Sequence, residues 1–297
     1  MLGKRGFVIL GVVLVLALLA GVSYFLWPRS GSTTGQAVQL AQPPNLRSET
    51  KESLPGDSNP RIITSPSRSA VAQSLARPPA VAIFRGSSAK KVVALTFDDG
   101  PSPYTPQIAA LLTKDRAPAT FSCIGKEAAE DRAEIARLKA AGFEVENHTW
   151  DHPQLTHLSL EAILAEITRT NQIVGPAKYL RPPYGSFNPT VSEAAASLHM
   201  KLVLWNVDTL DWKYRNVGSI LRYLKAEVRP GSIVLMHDGG GNRSQTVAAL
   251  PQVIGWLWSQ GYSLVNIDQL VKALPAKSTV SPNGESGRVH KGDEGLE

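Results

Sequence analysis

The chain has 297 residues, 43% of them hydrophobic, enough for one large domain with extensions or for two small ones. Its formal charge of +6 suggests a nucleic-acid partner until it is located: residues 89–275 carry nineteen basic against eighteen acidic side chains, and the excess lies in residues 1–88. Nucleic-acid binding needs Lys and Arg clustered on a folded face, so no such partner is expected. Cys123 is the single cysteine, which excludes an intrachain disulfide, and its neighbours Ala119 to Gly125 read as a buried strand.

In chain order, Phe7 to Trp27 is a run of 21 residues without a charge. As a helix it would extend about 31 Å, the thickness of a bilayer core. Lys4 and Arg5 precede it, so the positive-inside rule puts the N-terminus in the cytoplasm and everything after residue 28 outside. A cleaved signal peptide is the competing reading. The length of the run and its closing aromatics Tyr24, Phe25 and Trp27 favour an uncleaved transmembrane anchor over residues 1–28. The chain is thus expected to be a single-pass membrane protein whose catalytic domain faces the periplasm or the exterior. Residues 29–88, rich in Ser, Thr, Pro, Gln and Arg, read as a disordered stalk, and residues 276–297 as a disordered tail.

Between 89 and 275 short apolar runs alternate with amphipathic stretches. Strands are predicted at Val92–Phe97, Ala119–Ile124, Phe143–Val145, Tyr179–Leu180, Leu202–Val207, Ile233–Met236 and Ser263–Ile267. Helices are predicted at Tyr104–Leu112, Lys126–Ala141 and Ser159–Ile173, from Asn188–Pro189 onward, and near 217–228 and 245–259. Seven strand–helix repeats imply a parallel sheet covered by helices, either a barrel or an open sheet. Asp98, His148, Arg181, Asp208 and His237 all fall at the C-terminal ends of predicted strands. A barrel gathers such ends on one face, so a barrel is preferred.

Two of these positions suggest chemistry by residue type alone. Asp98-Asp99-Gly100-Pro101 puts adjacent carboxylates at a strand end before a forced turn, although a helix-capping pair would look the same. His148 and His152 stand four apart, a spacing at which one helical turn lets two imidazoles share a metal. With a carboxylate from another strand end they form a plausible Asp-His-His centre with open positions for water. His157 reads as a surface residue, Trp256 and Trp258 as packing, and Gly239-Gly240-Gly241-Asn242-Arg243 as a flexible rim beside His237.

Five motifs in order, Thr96–Pro101, His148–His152, Arg181–Gly185, Asp208–Trp212 and Ile233–Asp238, make the chain resemble the NodB-homology polysaccharide deacetylases, carbohydrate esterase family 4. The resemblance implies a distorted (β/α)7 barrel over residues 89–275. It also implies roles: Asp98 as general base, Asp99, His148 and His152 as metal ligands, and Arg181 orienting the base. The backbone N–H of Tyr184 would help form an oxyanion hole. Asp211 would pair with His237, the general acid, while Trp212, Leu235 and Pro182 would lie on the substrate side. The implied cofactor is a divalent metal, zinc before Co, Ni or Mn.

The implied activity is metal-dependent removal of N-acetyl groups from an N-acetylglucosamine-containing polysaccharide, peptidoglycan or chitin-like oligomers. An amide carbonyl is a poor electrophile and an amine a poor leaving group, so the reaction needs a Lewis acid and a proton donor on opposite sides. The same residues would serve an O-acetyl xylan esterase, and a non-catalytic glycan-binding protein would be marked by loss of Asp98 or His237. The expected partners are the glycan and, through the N-terminal helix, the membrane; no obligate protein partner is evident.

Overall fold

The structure, a computed structural model, describes residues 79–274. The predicted anchor, nearly all of the predicted stalk and the predicted tail lie outside the described residues. Among the described residues no helix is long and apolar enough to cross a membrane.

The described residues form nine strands: β1 (Ala82–Ile83), β2 (Val92–Asp98), β3 (Thr120–Cys123), β4 (Glu144–Asn147), β5 (Tyr179–Leu180), β6 (Lys201–Val203), β7 (Val207–Asp208), β8 (Ser232–His237) and β9 (Ser263–Val265). Every pairing between them is parallel. The order is β1-β6-β5-β4-β3-β2-β8-β7, with β9 also on β2. β6 and β7 therefore sit near opposite ends of the order, yet only residues 204–206 join them. So short a link spans at most about 14 Å, so the sheet must curl back on itself. The ladder does not close between β6 and β7. Instead Asn206 borrows the edge of β8, its Oδ1 accepting Ile233 N–H at 2.9 Å and its own N–H reaching Ile233 O at 3.2 Å.

The expected seven-strand barrel is thus a curled parallel sheet with an open seam. Leu202–Val207, read as one strand, is two, because the chain leaves one neighbour for another at 204–206. β1 lies inside the segment read as stalk; its two residues pair with Leu202 and Val203, too short a run to show in composition.

Among the described residues nine helices cover the sheet: α1 (Thr105–Lys114), α2 (Gly125–Glu130), α3 (Arg132–Ala140), α4 (Leu160–Val174), α5 (Pro189–Ser197), α6 (Asp211–Tyr214), α7 (Val217–Glu227), α8 (Ser244–Ser259) and α9 (Ile267–Lys272). Their starts follow local chemistry. Ser159, Asn188, Asn216 and Asn266 each accept a backbone N–H from the first turn that follows. The single helix predicted over Lys126–Ala141 breaks at Asp131, whose non-helical backbone (φ −128°, ψ 65°) lets its side chain cap Glu134 N–H at 2.9 Å.

β2 shows how the layers are sorted. Successive side chains point to opposite faces, so Val93, Leu95 and Phe97 pack outward against Ile108, Leu112, Leu250 and Ile254 of the helices. Ala94, Thr96 and Asp98 are left for the interior. Phe97 stacks on Phe121 at 5.3 Å, and Phe121 meets Phe143 edge-on at 5.4 Å. Truncating Phe97 to Ala would cost roughly 3–5 kcal/mol.

Candidate active site

In a parallel sheet all strands end on the same side. Asp98 closes β2, His237 closes β8 directly opposite it, and Asp208 closes β7. His148 follows β4 and Arg181 follows β5, whose N–H bonds Asn147 O at 2.9 Å. One face therefore holds all five.

Asp99, His148 and His152 offer ligand atoms all within 4.8 Å of one another. Asp99 Oδ1 lies 3.4 Å from His148 Nε2 and 3.6 Å from His152 Nε2. Neither contact has hydrogen-bond geometry, so this oxygen is buried without a partner. His148 Nδ1 is held by Arg181 O at 2.7 Å, which leaves Nε2 for the cluster. Contrary to the spacing argument, no helical turn joins the two histidines. The connection is irregular, with positive φ at Thr149 (69°) and His152 (63°), and Asp99 itself has φ 74°. Such backbone is costly for side-chain-bearing residues and persists only where surroundings hold it. Here Asn147 Oδ1 takes Thr149 N–H at 2.8 Å, and Glu166 Oε2 takes Trp150 N–H at 2.8 Å.

Burial pushes the Asp99 carboxyl upward, but His148, His237 and His152 together carry it well below the usual range. Burial and then the His148 charge bring His152 down to about 4. At neutral pH the cluster thus presents a carboxylate and a neutral imidazole. His148 moves the other way: burial lowers it, yet Asp98 and Asp99 overcome that and raise it. A cation would compete with that proton for the same Nε2. An orphaned carboxylate oxygen with two imidazole nitrogens fits a divalent ion of N/O preference.

Arg181 is wholly buried. Its Nη1 donates to Thr96 Oγ1 at 2.6 Å and to Asp98 Oδ1 at 2.9 Å, and Nη2 donates to Leu204 O at 3.1 Å. Asp98, 2% exposed, is thereby paired and oriented. On the other side His237 Nδ1 lies 2.7 Å from Asp211 Oδ1. Burial lowers His237, but the Asp211 charge and hydrogen bond override it and push the imidazole up to about 9. The site therefore pairs an arginine-bound carboxylate with a proton-bearing imidazole, flanking a potential cation centre.

The remaining predicted residues divide between rim and wall. Tyr184 is 61% exposed, with φ 59°, and its ring meets that of His152 edge-on at 4.6 Å. The turn there uses the N–H groups of Gly185 (to Pro182 O) and Ser186 (to Pro183 O), not that of Tyr184. Trp212 is exposed, its Nε1 3.5 Å from Asp208 Oδ2, while Leu235 and Pro182 are buried. His157 is exposed and Cys123 buried. Trp256 packs on the core, whereas Trp258, read as packing, is exposed on the outer side of α8.

Two contributors, Thr246 and Asp238, had no role assigned from sequence. Thr246 Oγ1 donates to Asp211 Oδ2 at 2.8 Å, from 35 residues away, and no local signal marks it. Asp238 is buried, bonded by Thr105 Oγ1 at 2.5 Å, and its main chain takes the Ser102 hydroxyl and donates to Asp98 O. Burial, then Asp99 and Asp98, push its carboxyl up to about 7. The glycine run, expected as a flexible rim, is packed: a methyl on Gly239 would fall 2.0 Å from Asp99 O, and one on Gly240 2.5 Å from Asp99 Oδ2. Buried Arg243 ties this loop down through Gly239 O (2.5 Å) and Gly240 O (3.0 Å).

A family model described as polysaccharide deacetylase matches residues 85–203. The peptidoglycan-N-acetylglucosamine deacetylase PgdA of Listeria monocytogenes is 39% identical over 186 residues, covering 61% of this chain. The chain spans only 39% of that longer relative. The chitooligosaccharide deacetylase of Sinorhizobium fredii is 35% identical over 202 residues, covering 62% of this chain and 94% of that protein. Among solved structures, BA3943 of Bacillus anthracis, described as a CE4 family pseudoenzyme, superposes with a TM-score of 0.62 at 33% identity, covering 67% of this chain and 71% of that one. A pseudoenzyme among the neighbours means that activity is to be argued from the site residues rather than from the fold. On the near-complete coverage of the Sinorhizobium protein, together with the five motifs gathered on one face, the chain belongs to the polysaccharide deacetylase family.

Proposed function

We propose that this protein hydrolyses N-acetyl groups from an N-acetylglucosamine-containing polysaccharide, peptidoglycan or chitin-like oligomers, with a divalent cation held by Asp99, His148 and His152. The observation that carries this reading is the set of three adjacent units on one face: the ligand cluster, the Asp98–Arg181 pair and the Asp211–His237 pair. Held by Asp99, His148 and His152, such an ion, zinc by our assignment, would supply Lewis acidity toward an acetyl carbonyl and toward water.

The protein's own groups do the rest. Asp98, held in place by Arg181 Nη1 at 2.9 Å, accepts a proton from the attacking water. The Tyr184 N–H donates to the developing oxyanion, the kind of preorganised dipole that contributes most to acyl transfer. His237, protonated because Asp211 faces its Nδ1, donates from Nε2 to the departing amine. Trp212 and Leu235 bound the space for the acetyl methyl, with Pro182 behind the turn that carries Tyr184. The test is mass spectrometry of peptidoglycan fragments and chitin oligomers after incubation with the full chain. Loss of acetyl groups should stop on chelation and return with zinc; intact acetyl groups after incubation with zinc-loaded protein would rule the reading out.

We further propose that residues 1–28 anchor the chain, with the catalytic domain outside the cytoplasm. The charge-free run from Phe7 to Trp27 supports this. Mature protein should start near Met1 and fractionate with membranes; an N-terminus found between residues 20 and 36 would indicate a cleaved leader instead.

A further inference from the structure

The mouth of the site is charged on one side only. The segment 101–104 after β2 and the turn at 183–188 contain no charged side chain, and the loop 149–158 adds one exposed carboxylate, Asp151. Trp212 to Ala226, by contrast, carries Lys213, Arg215, Arg222 and, farther along α7 against Trp256, Lys225, all exposed, with no acidic residue before Glu227. None of the four enters an ion pair among the described residues.

These cations are interleaved with aromatic faces. Tyr214 stacks on Tyr223 at 5.6 Å with planes 12° apart, Lys213 Nζ lies 5.8 Å over the Tyr214 ring, and the Arg222 guanidinium lies 4.6 Å over Tyr223. Arg215 is anchored by Nε to Trp212 O at 3.4 Å, and its Nη2 stands 3.8 Å from where a methyl on Gly241 would be. The ladder therefore begins one residue after Asp211, which holds His237, and leans on the loop that follows His237. Tyr214, at 43% exposure, and Trp212, at 38%, are two of the four exposed large apolar side chains among the described residues. Exposed aromatic surface beside a reaction centre marks a ligand site, and unpaired guanidinium groups select carboxylates through their planar fork.

We propose that Lys213, Arg215 and Arg222, with Tyr214 and Tyr223, form a subsite for a carboxylate-bearing sugar adjacent to the acetamido sugar that is cleaved. This deepens, and rests on, the deacetylase reading above: the substrate class becomes a glycan in which N-acetylglucosamine alternates with acidic units, such as the lactyl-ether sugars of peptidoglycan, rather than a neutral homopolymer. The aromatic faces take the sugar rings and the cations take the acid. A phosphate-rich polyanion would share the ionic contact but not the register with the acetamido group.

The experiment compares three oligosaccharides of equal length: the acidic alternating strand, the same strand with its carboxylates amidated, and a neutral N-acetylglucosamine oligomer. Steady-state kinetics are measured for the full chain and for its Lys213→Ala/Arg215→Ala/Arg222→Ala variant. Binding of the same strands is measured by calorimetry in the Asp98→Asn background, where no turnover is needed. Each exposed ion pair is worth a factor of a few in affinity, so the triple variant should raise KM on the acidic strand roughly tenfold. Its kcat, and its KM on the other two substrates, should stay unchanged. Arg215→Lys/Arg222→Lys should keep most of the preference. Equal losses on the acidic and amidated strands, or no loss, overturn the subsite. If no strand is deacetylated yet binding still favours the carboxylates and needs the three cations, the subsite stands and the deacetylase reading falls.

Discussion

Asp211 holds His237 at two points at once: its Oδ1 lies 2.7 Å from the ring Nδ1, and its Oδ2 takes the backbone N–H of the same residue at 2.9 Å. Thr246 completes the carboxylate's hydrogen bonds, so the imidazole has one orientation, with Nδ1–H on Asp211 and, in the protonated ring, an Nε2–H left to donate.

The pH profile follows from that pair. His237, pushed up to about 9, is the donor form below that pH and loses its proton above it. Activity should therefore hold through neutrality and fall as pH rises past about 9. Asp211→Asn removes the main raising influence, so the alkaline limb of kcat/KM should move by more than a pH unit toward the ordinary histidine range. A limb that stays in place in Asp211→Asn would remove His237 from the proton-donor role.

The two adjacent carboxylates should separate by what is lost. Asp98→Asn leaves all three cluster ligands in place, so bound metal should remain near one ion per chain while activity drops on the order of 10²–10⁴-fold. Asp99→Asn should lose metal and activity together. Metal content by atomic emission, beside turnover, reads both. His237→Ala should keep its metal and lose more on an amide than on an aryl ester, whose leaving group departs without a proton.

Glycine substitutions should divide by environment. A methyl on Gly100 would sit 2.1 Å from Asp238 Oδ2, and one on Gly239 would strike the Asp99 main chain. Gly100→Ala and Gly239→Ala should each displace the loop bearing Asp99, weakening metal retention in a chelator competition as well as lowering Tm. Gly255, inside α8 with open space around it, is the contrast. Gly255→Ala should stabilise by about 0.5–1 kcal/mol and leave metal binding alone.

Glu146 gives stability an alkaline slope. It is buried in β4, its Oε2 accepting Lys178 N–H at 2.8 Å and Tyr179 N–H at 2.9 Å, and burial, the largest influence, pushes its carboxyl up to about 8. The folded state thus keeps a proton that the unfolded chain releases near 4.5. The unfolded state binds fewer protons in that window, so this group's contribution falls as pH rises from about 4.5 to 8. Glu146→Gln should flatten the slope and raise stability at pH 8, measured by urea denaturation across the range. A steeper slope in the variant would contradict the assignment.

Much of this architecture was legible because parallel strands end on one side. Once Val92–Phe97, Tyr179–Leu180 and Ile233–Met236 read as strands, the polar residues at their ends had to converge. What escaped depends on groups distant in sequence or on breaks too short for a pattern. Asp131 interrupts an amphipathic stretch without changing its periodicity. The change of partner at 204–206 is invisible in a run of apolar residues. The histidines meet through αL backbone at Thr149 and His152, which spacing alone mistook for a helical turn. The glycine run looked flexible by composition, although its lack of side chains is what lets it press against Asp99.

Arg181 has a consequence for how this chain could decay over evolutionary time. A lineage that no longer needed the reaction could not discard Asp98 freely, because a buried guanidinium without its counter-charge costs about 3–5 kcal/mol. Total stabilities lie near 5–15 kcal/mol. Only an isosteric amide at position 98 would silence the base while still offering Arg181 Nη1 an acceptor. Buried Asp211 ties His237 in the same way, whereas the exposed aromatics of the rim, Tyr184, Trp212 and Tyr214, neutralise no buried charge. Selection on folding alone would therefore guard Asp98 and His237 more strictly than the rim aromatics, and a silent descendant should show its first losses at the mouth of the site.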